Sequence, residues 1–312
     1  MRVWIGWALL LLVLVGLALV PMVLTRDLVT ALFFTFIFLT LAANYDVLGG
    51  FLRHINLGQG AFFGLAAYAT AVVLTRAPWS PKLGALAVWV AVGVAIPLTA
   101  IFAALVAYPL FQVRGPYFAV ITFGLVLILQ QIVLNTSRLS GGSYGVTIPA
   151  RYYPSLPTAY YAGLALAIGA VLINSFIARS RLGIAFHALR DSEEAAAAIG
   201  IDPFRHKQTA MVIASVPSAA AGCIFALFMG HLYMETVLGT DVTLLPVIIA
   251  MVGGSGHVLG PVLGAVIVRG LDIGLVYAAL PVPNLALYGL MLVGIGLFLP
   301  GGIVHVLTRK GR

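Results

Sequence analysis

Long apolar runs, parted by short intervals of Gly, Pro and charge, set the pattern of this chain. They cover residues 4–24, 28–48, 59–75, 83–111, 117–135, 159–178, 209–230, 242–252, 258–279 and 285–303. Crossing the hydrocarbon of a bilayer takes about 20 predominantly apolar residues. By that measure only 242–252 is too short to cross unaided. The fold class expected is all-α: a polytopic transmembrane helix bundle of about eight to ten membrane segments, including broken or re-entrant helices. No polar interval is long enough for a separate soluble core, so residues 1–312 are read as a single transmembrane domain.

One interval breaks the pattern. Residues 180–207, SRLGIAFHALRDSEEAAAAIGIDPFRHK, carry Arg181, Arg190, Arg205 and Lys207 with Asp191, Glu193, Glu194 and Asp202, and Arg179 stands just before them. This segment must sit in water or against a polar partner. Asp191 or Ser192 can cap a helix, Glu193 and Glu194 suit its positive end, and Ala195 to Ala198 are strong helix formers. Gly200 supplies a stop ahead of Pro203. The expectation is a short helix from about Asp191 to Ala198 with a small-residue face that lets another protein approach closely. The plainer reading of the same residues is a solvated connector.

Composition agrees with the bilayer reading. Hydrophobic residues make up 62% of the chain, charged residues 8%, and the mean hydropathy is +1.10, against roughly 25% charged residues in soluble domains. A net charge of +8 does not indicate nucleic acid, because the basic residues are scattered among loop-like intervals. Such scatter follows from the positive-inside bias. With a cytoplasmic N-terminus, Arg2, Arg53, Arg114, Arg179, Arg181, Arg190, Arg205, Lys207, Arg309, Lys310 and Arg312 fall inside, and Arg26, Arg76, Lys82, Arg138 and Arg151 fall outside. That bias places residues 179–207 and both termini in the cytoplasm. The run 4–24 is read as a retained span because no small-residue cleavage site precedes Arg26. The single cysteine, Cys223, lies in an apolar run and excludes a disulfide framework.

Two interruptions resemble each other: 48–60 (LGGFLRHINLGQG) and 252–264 (VGGSGHVLGPVLG) both join apolar runs through Gly-rich sequence. Paired breaks of this kind can mark broken helices at a substrate path. Asn44, Tyr45 and Asp46, with Asn56 and Gln59 across the first break, could offer hydrogen bonds in a central cavity or merely satisfy interrupted backbone. Arg269 and Asp272 share a helical face in the ninth run, either as a structural ion pair or as a substrate contact. Gly256, Gly260 and Gly264 recur every four residues and are expected to line one helical face for close packing. The six histidines show no metal-ligand spacing, so no metal is expected. No Ser, His and acid cluster suggests catalysis.

The residues resemble a known family. Glu194-Ala195-Ala196, three further residues and Gly200 are similar to the EAA loop by which ABC importer permeases dock on their ATPase subunits. The whole charged string resembles the version in branched-chain amino-acid permeases of the LivM type. Leu57 to Gly64 with Ala67-Tyr68, Arg114 to Ala119, Gly141 to Gly145, Gly253 to Gly256 with Gly260 to Ala265, and Leu299 to Gly302 resemble blocks of that family in order. The chain departs from the general loop pattern at Ala210, where an Ile is expected, and at Arg53-His54 in a region usually short and apolar.

The resemblance implies an importer subunit for branched-chain or related small amino acids in a bacterial or archaeal inner membrane. It implies that Arg190, Asp191, Glu193, Glu194, Ala195, Ala196 and Gly200 couple to the ATPase; on the reading of the residues alone, Asn44, Tyr45, Asn56, Gln59, Arg269 and Asp272 are the candidates for a substrate path. Implied partners are a homologous LivH-type permease, two ATPase subunits that bind ATP and Mg, and an extracytoplasmic substrate-binding protein; this chain itself would hold no cofactor. No G-x-x-x-x-G-K-[ST] occurs, because Lys82, Lys207 and Lys310 each follow Pro or a basic residue. An enzyme is therefore not expected. The competing reading is an ion-coupled secondary transporter using Arg269 and Asp272, and a third is a non-transporting membrane scaffold.

Overall fold

The computed structural model describes residues 15–113, 115–277, 289–291, 293–294 and 301–309. Residues 4–14 of the first expected span, most of the expected span 285–303, and Arg2, Arg114, Leu299, Pro300, Lys310 and Arg312 lie outside the described residues.

The protein is an all-α polytopic helix bundle. Residues 15–23 are helical, followed by α1 (Arg26–Asp46), which runs into a π-helical turn at Val47–Phe51. Then come α2 (Gln59–Arg76), α3 (Leu86–Leu110), α4 (Tyr117–Asn135) and α5 (Leu156–Arg179). The polar island forms α6 (Arg181–Asp191) and α7 (Glu193–Ala198). The chain continues through α8 (Pro203–Met229), α9 (Met234–Leu238), α10 (Thr240–Gly253), α11 (Gly260–Tyr277) and α12 (Gly302–Arg309). Among the described residues six segments are long and apolar enough to cross a membrane: Arg26–Phe51, Leu86–Leu110, Tyr117–Asn135, Leu156–Arg179, Pro203–Met229 and Met234–Gly253.

The last of these corrects the expectation that 242–252 is too short. Glu235, Gly239 and Asp241 made its upstream half look like a loop, yet α9 and α10 follow one another across Gly239 to give a 20-residue span.

Packing inside the bundle rests on small side chains, because lipid offers apolar surface as good as any leucine and close backbone approach becomes the available gain. On α3 the fully buried residues Ala87, Ala91, Ala95, Thr99, Ala103 and Ala107 recur every four positions. This stripe faces α8 and α2, while Leu98, Ile101 and Leu105 on the opposite face are exposed. Aromatic rings fill the wider gaps: Phe33 of α1 lies 4.4 Å from Phe228 of α8, and Phe63 of α2 lies 5.1 Å from Phe225.

The two ends of the bundle are tied differently. At one end, strand β1 (Val146–Thr147) pairs antiparallel with β2 (His231–Leu232), and the Tyr152 hydroxyl donates to the Ser80 carbonyl at 2.9 Å. The other end gathers the π turn, the C-termini of α3, α5 and α10, the N-termini of α4 and α8, and the two helices of the polar island.

Candidate functional site: a capped surface helix joined to two broken helices

The polar island folds through its capping residues. Ser180 accepts the Gly183 N–H at 3.3 Å and starts α6. Ser192, in extended conformation at φ −160°, ends α6 and accepts the Ala195 N–H at 3.2 Å to start α7. Asp202 accepts the Arg205 N–H at 3.1 Å and starts α8. The expected short helix ending at Ala198 is present, and of its two expected caps Ser192 is the one used. Asp191 closes α6, Ser192 is the cap, and α7 begins at Glu193. An amphipathic α6 was not foreseen, although Phe186 and Leu189 at helical spacing, both buried, were its signal.

Gly200 follows α7 with φ 90°, a backbone conformation other residues adopt only under strain. Ala196 points inward onto the cluster of Phe186, Leu189 and Ala210. Glu194, Ala195, Ala197 and Ala198 are exposed, so the helix turns an acidic, small-residue face away from the rest of the chain.

Glu193 points the other way. Its Oε1 accepts from the Lys207 ammonium of α8 and lies 3.7 Å from Nε2 of His54. Lys207 also sits 5.8 Å over the Phe111 ring. The His54 ring meets Phe111 and Phe118, which stack on each other at 5.2 Å. Burial lowers the His54 pKa below the ordinary histidine value; the Leu52 carbonyl and Glu193 oppose that shift, and Lys207 adds to it. Thus α7 is fastened to the break between α1 and α2, where Arg53 takes φ 54°, the one non-glycine with positive φ among the described residues.

Arg190, at the end of α6, reaches the same break and donates to the Gly50 carbonyl at 3.4 Å. Beneath it the two Gly-rich interruptions meet. Asp46 Oδ1 accepts from the Ser255 hydroxyl at 2.8 Å and from the Gly256 N–H at 2.7 Å. Gly256 is therefore corrected: it has φ 89° in the loop before α11 and packs on Gly50, off the helical face assigned to it. Gly260 opens α11, and Gly264 rests against backbone at the end of α10, a close approach no other side chain would allow.

Of the polar residues expected in the interior, Asn44 and Gln59 are brought together through Ser218. Asn44 donates to Ser218 of α8 at 3.1 Å, and the Ser218 hydroxyl lies 3.0 Å from Gln59 Oε1. Asn56 accepts the Gly58 N–H at 2.8 Å. Asn44, Asn56 and Gln59 are buried; Tyr45 is buried too, with its ring against Gly49. Arg269 and Asp272 lie apart from this group, joined at 2.8 Å on α11, with the guanidinium over the Phe38 ring. Lys207, His54, Ser218 and Ser255 were given no site role from the sequence. Each meets its partner across 14 to 209 positions, beyond any spacing rule.

The sequence of this chain matches known proteins. The family described as "Branched-chain amino acid transport system / permease component" matches residues 28–296. The high-affinity branched-chain amino acid transport system permease protein LivM of Escherichia coli (strain K12) is 26% identical over 276 residues, covering 79% of this chain and 63% of the relative. The autoinducer 2 import system permease protein LsrC of Enterobacter sp. (strain 638) is 26% identical over 277 residues, covering 83% and 75%. A probable branched-chain amino acid transport permease protein LivM of Methanocaldococcus jannaschii is 25% identical over 211 residues, covering 66% and 61%. The chain spans 63% of the length of the enterobacterial LivM relatives. No solved structure matches. With the family matched along most of its length, and with the all-α membrane bundle that such a permease requires, the chain belongs to the branched-chain amino acid transport system permease components.

Proposed function

We propose that this chain is the membrane-spanning permease subunit of an ABC importer, moving branched-chain or related small amino acids inward across a bacterial or archaeal cytoplasmic membrane. One observation carries the reading. The exposed face of α7 is free to receive a partner, while its other side is bonded through Glu193 to Lys207 and His54, at the break between α1 and α2. A push on α7 is therefore delivered directly to the broken helices.

The exposed face of α7 and the names of the relatives support a reading with partners. A LivH-type permease would pair with this chain, two ATPase subunits holding ATP and Mg would receive α7 and the corresponding helix of that permease, and an extracytoplasmic binding protein would deliver the substrate. Closure of the ATPases would move α6 and α7 as a lever, with Arg190 on Gly50 and Asp46 on Gly256 passing the displacement into both breaks. Arg269 and Asp272 are joined within one helix, which suits a structural role better than ion coupling.

The experiment is reconstitution with the cognate partners. Glu194→Lys reverses the charge of the exposed face, and Gly200→Val cannot hold φ 90° without strain. Both are expected to insert and fold, to lose co-purification of the two ATPase subunits, and to lose stimulated ATPase and uptake. Normal uptake in either variant refutes the docking role.

A further inference from the structure

The N-terminus of α2 is unusual for a helix end inside a membrane bundle. It starts at Gln59 deep in the protein: Gly60 lies against Thr243 of α10 and Val126 of α4, and Gln59 reaches Ser218 of α8. Helix N-termini leave unsatisfied N–H groups and carry partial positive charge, and a buried end is normally capped. Here the N-cap is Gly58, no side chain caps the helix, and no acidic residue stands in its first turn.

The side chains beside it deepen the imbalance. Asn56 uses Oδ1 to accept the Gly58 N–H, which holds its amide at the helix end, and its buried Nδ2 has no hydrogen-bond partner. Gln59 uses Oε1 toward Ser218, and its buried Nε2 likewise has none. Asn56 and Gln59 are 1% and 0% exposed. Two buried amide donors without partners thus stand at a positive helix end that carries neither a side-chain cap nor an acidic residue, in a medium where an unmet donor is costly. What satisfies such a set is an acceptor-only anion, and a carboxylate is the anion an amino acid carries.

We propose that Asn56, Gln59 and the N-terminus of α2 form the site that receives the substrate carboxylate as the two breaks open. The proposal rests on the import reading above and names the group recognised. Asn44 and Ser218 act as positioning residues, because the Ser218 hydroxyl accepts from Asn44 and lies 3.0 Å from both the Ala214 carbonyl and Gln59 Oε1, on the oxygen side of the Gln59 amide.

The test uses the full complex in proteoliposomes, with radiolabelled L-leucine as probe. Asn56→Asp keeps the acceptor for Gly58 and adds an anion at a helix N-terminus, so thermal stability should equal or exceed that of the parent. Gln59→Glu keeps the acceptor for Ser218. Each fills the site with its own negative charge, and uptake should fall about tenfold or more, equivalent to one charge-assisted contact. In the parent complex without binding protein, millimolar L-leucine should raise the melting temperature and L-leucinamide should not. Uptake within about twofold of the parent in both variants, or equal stabilisation by leucine and leucinamide, overturns the site. No ATP-driven uptake in the parent overturns the import reading and the site with it, which separates the two failures.

Discussion

The Glu193–Lys207 pair should be strongly asymmetric to mutation. The Lys207 side chain is 5% exposed and that of Glu193 34%. Deleting the carboxylate with Glu193→Ala leaves a buried ammonium over the Phe111 ring with no counter-ion in reach. Breaking a buried pair from one side costs about 3–5 kcal/mol, and the partial exposure of Glu193 places this case near about 3 kcal/mol. Deleting the ammonium with Lys207→Met preserves the stem packed on Phe111 and leaves a carboxylate that can turn to water. That change should cost about 1 kcal/mol or less. The double variant should recover most of the Glu193→Ala loss, because no unpaired buried charge remains. Equilibrium unfolding of the purified chain in mixed detergent micelles measures all three. Lys207→Met as damaging as Glu193→Ala, or a double variant as weak as their added effects, refutes the assignment of Lys207 as the buried partner.

Other consequences can be checked alongside. His54 is held below its ordinary pKa by burial, so the folded state disfavours the proton; its contribution is present above the unfolded pKa of about 6.5 and is lost as pH falls through the lower folded value. A melting-temperature profile should therefore droop on the acid side of about pH 6.5, and His54→Phe, which suits the pocket of Phe111 and Phe118, should flatten that limb. Gly264→Ala would drive a methyl into backbone at the end of α10 and should cost about 3 kcal/mol or more. Gly169→Ala in α5, where nothing lies within 4 Å, should be neutral or stabilise by about 0.5–1 kcal/mol. Asp46→Ala strands the Ser255 hydroxyl and the Gly256 N–H and should destabilise by about 2–4 kcal/mol, against a smaller loss for Asp46→Asn, both read by thermal unfolding.

The bundle was legible wherever one requirement dominated. A helix in lipid must satisfy its backbone internally, so an unbroken apolar run is a helix and its punctuation is its end. The run 117–135 is α4 residue for residue, and 59–75 and 83–111 miss α2 and α3 by only a few. Legibility failed where composition and structure part. Residues 234–241 read as loop because Glu235 and Asp241 are charged, yet they belong to a span most of which is buried in protein, where lipid-grade apolarity is not required. Arg181 to Asp191 read as a polar island because its charges outnumbered the Phe186 and Leu189 face.

The site shows the same division more sharply. Capping is local chemistry, and the helix of Glu193 to Ala198 with its stop at Gly200 follows from residues within eight positions of one another. What joins that helix to the membrane does not. Asp46 and Ser255, His54 and Glu193, Arg190 and Gly50 are each paired by the tertiary fold, and nothing in a single sequence distinguishes a charge that will be clasped from one that will be solvated. The similarity of the two Gly-rich breaks was visible, but not that they touch. Because they touch, the Asp46 carboxylate closes both at once, and a force entering at Arg190 or Glu193 has no way to open one break without straining the other. On the import function proposed above, that geometry makes paired opening the expected transport step, with an Asp46 variant uncoupling ATP hydrolysis from uptake before it unfolds the bundle.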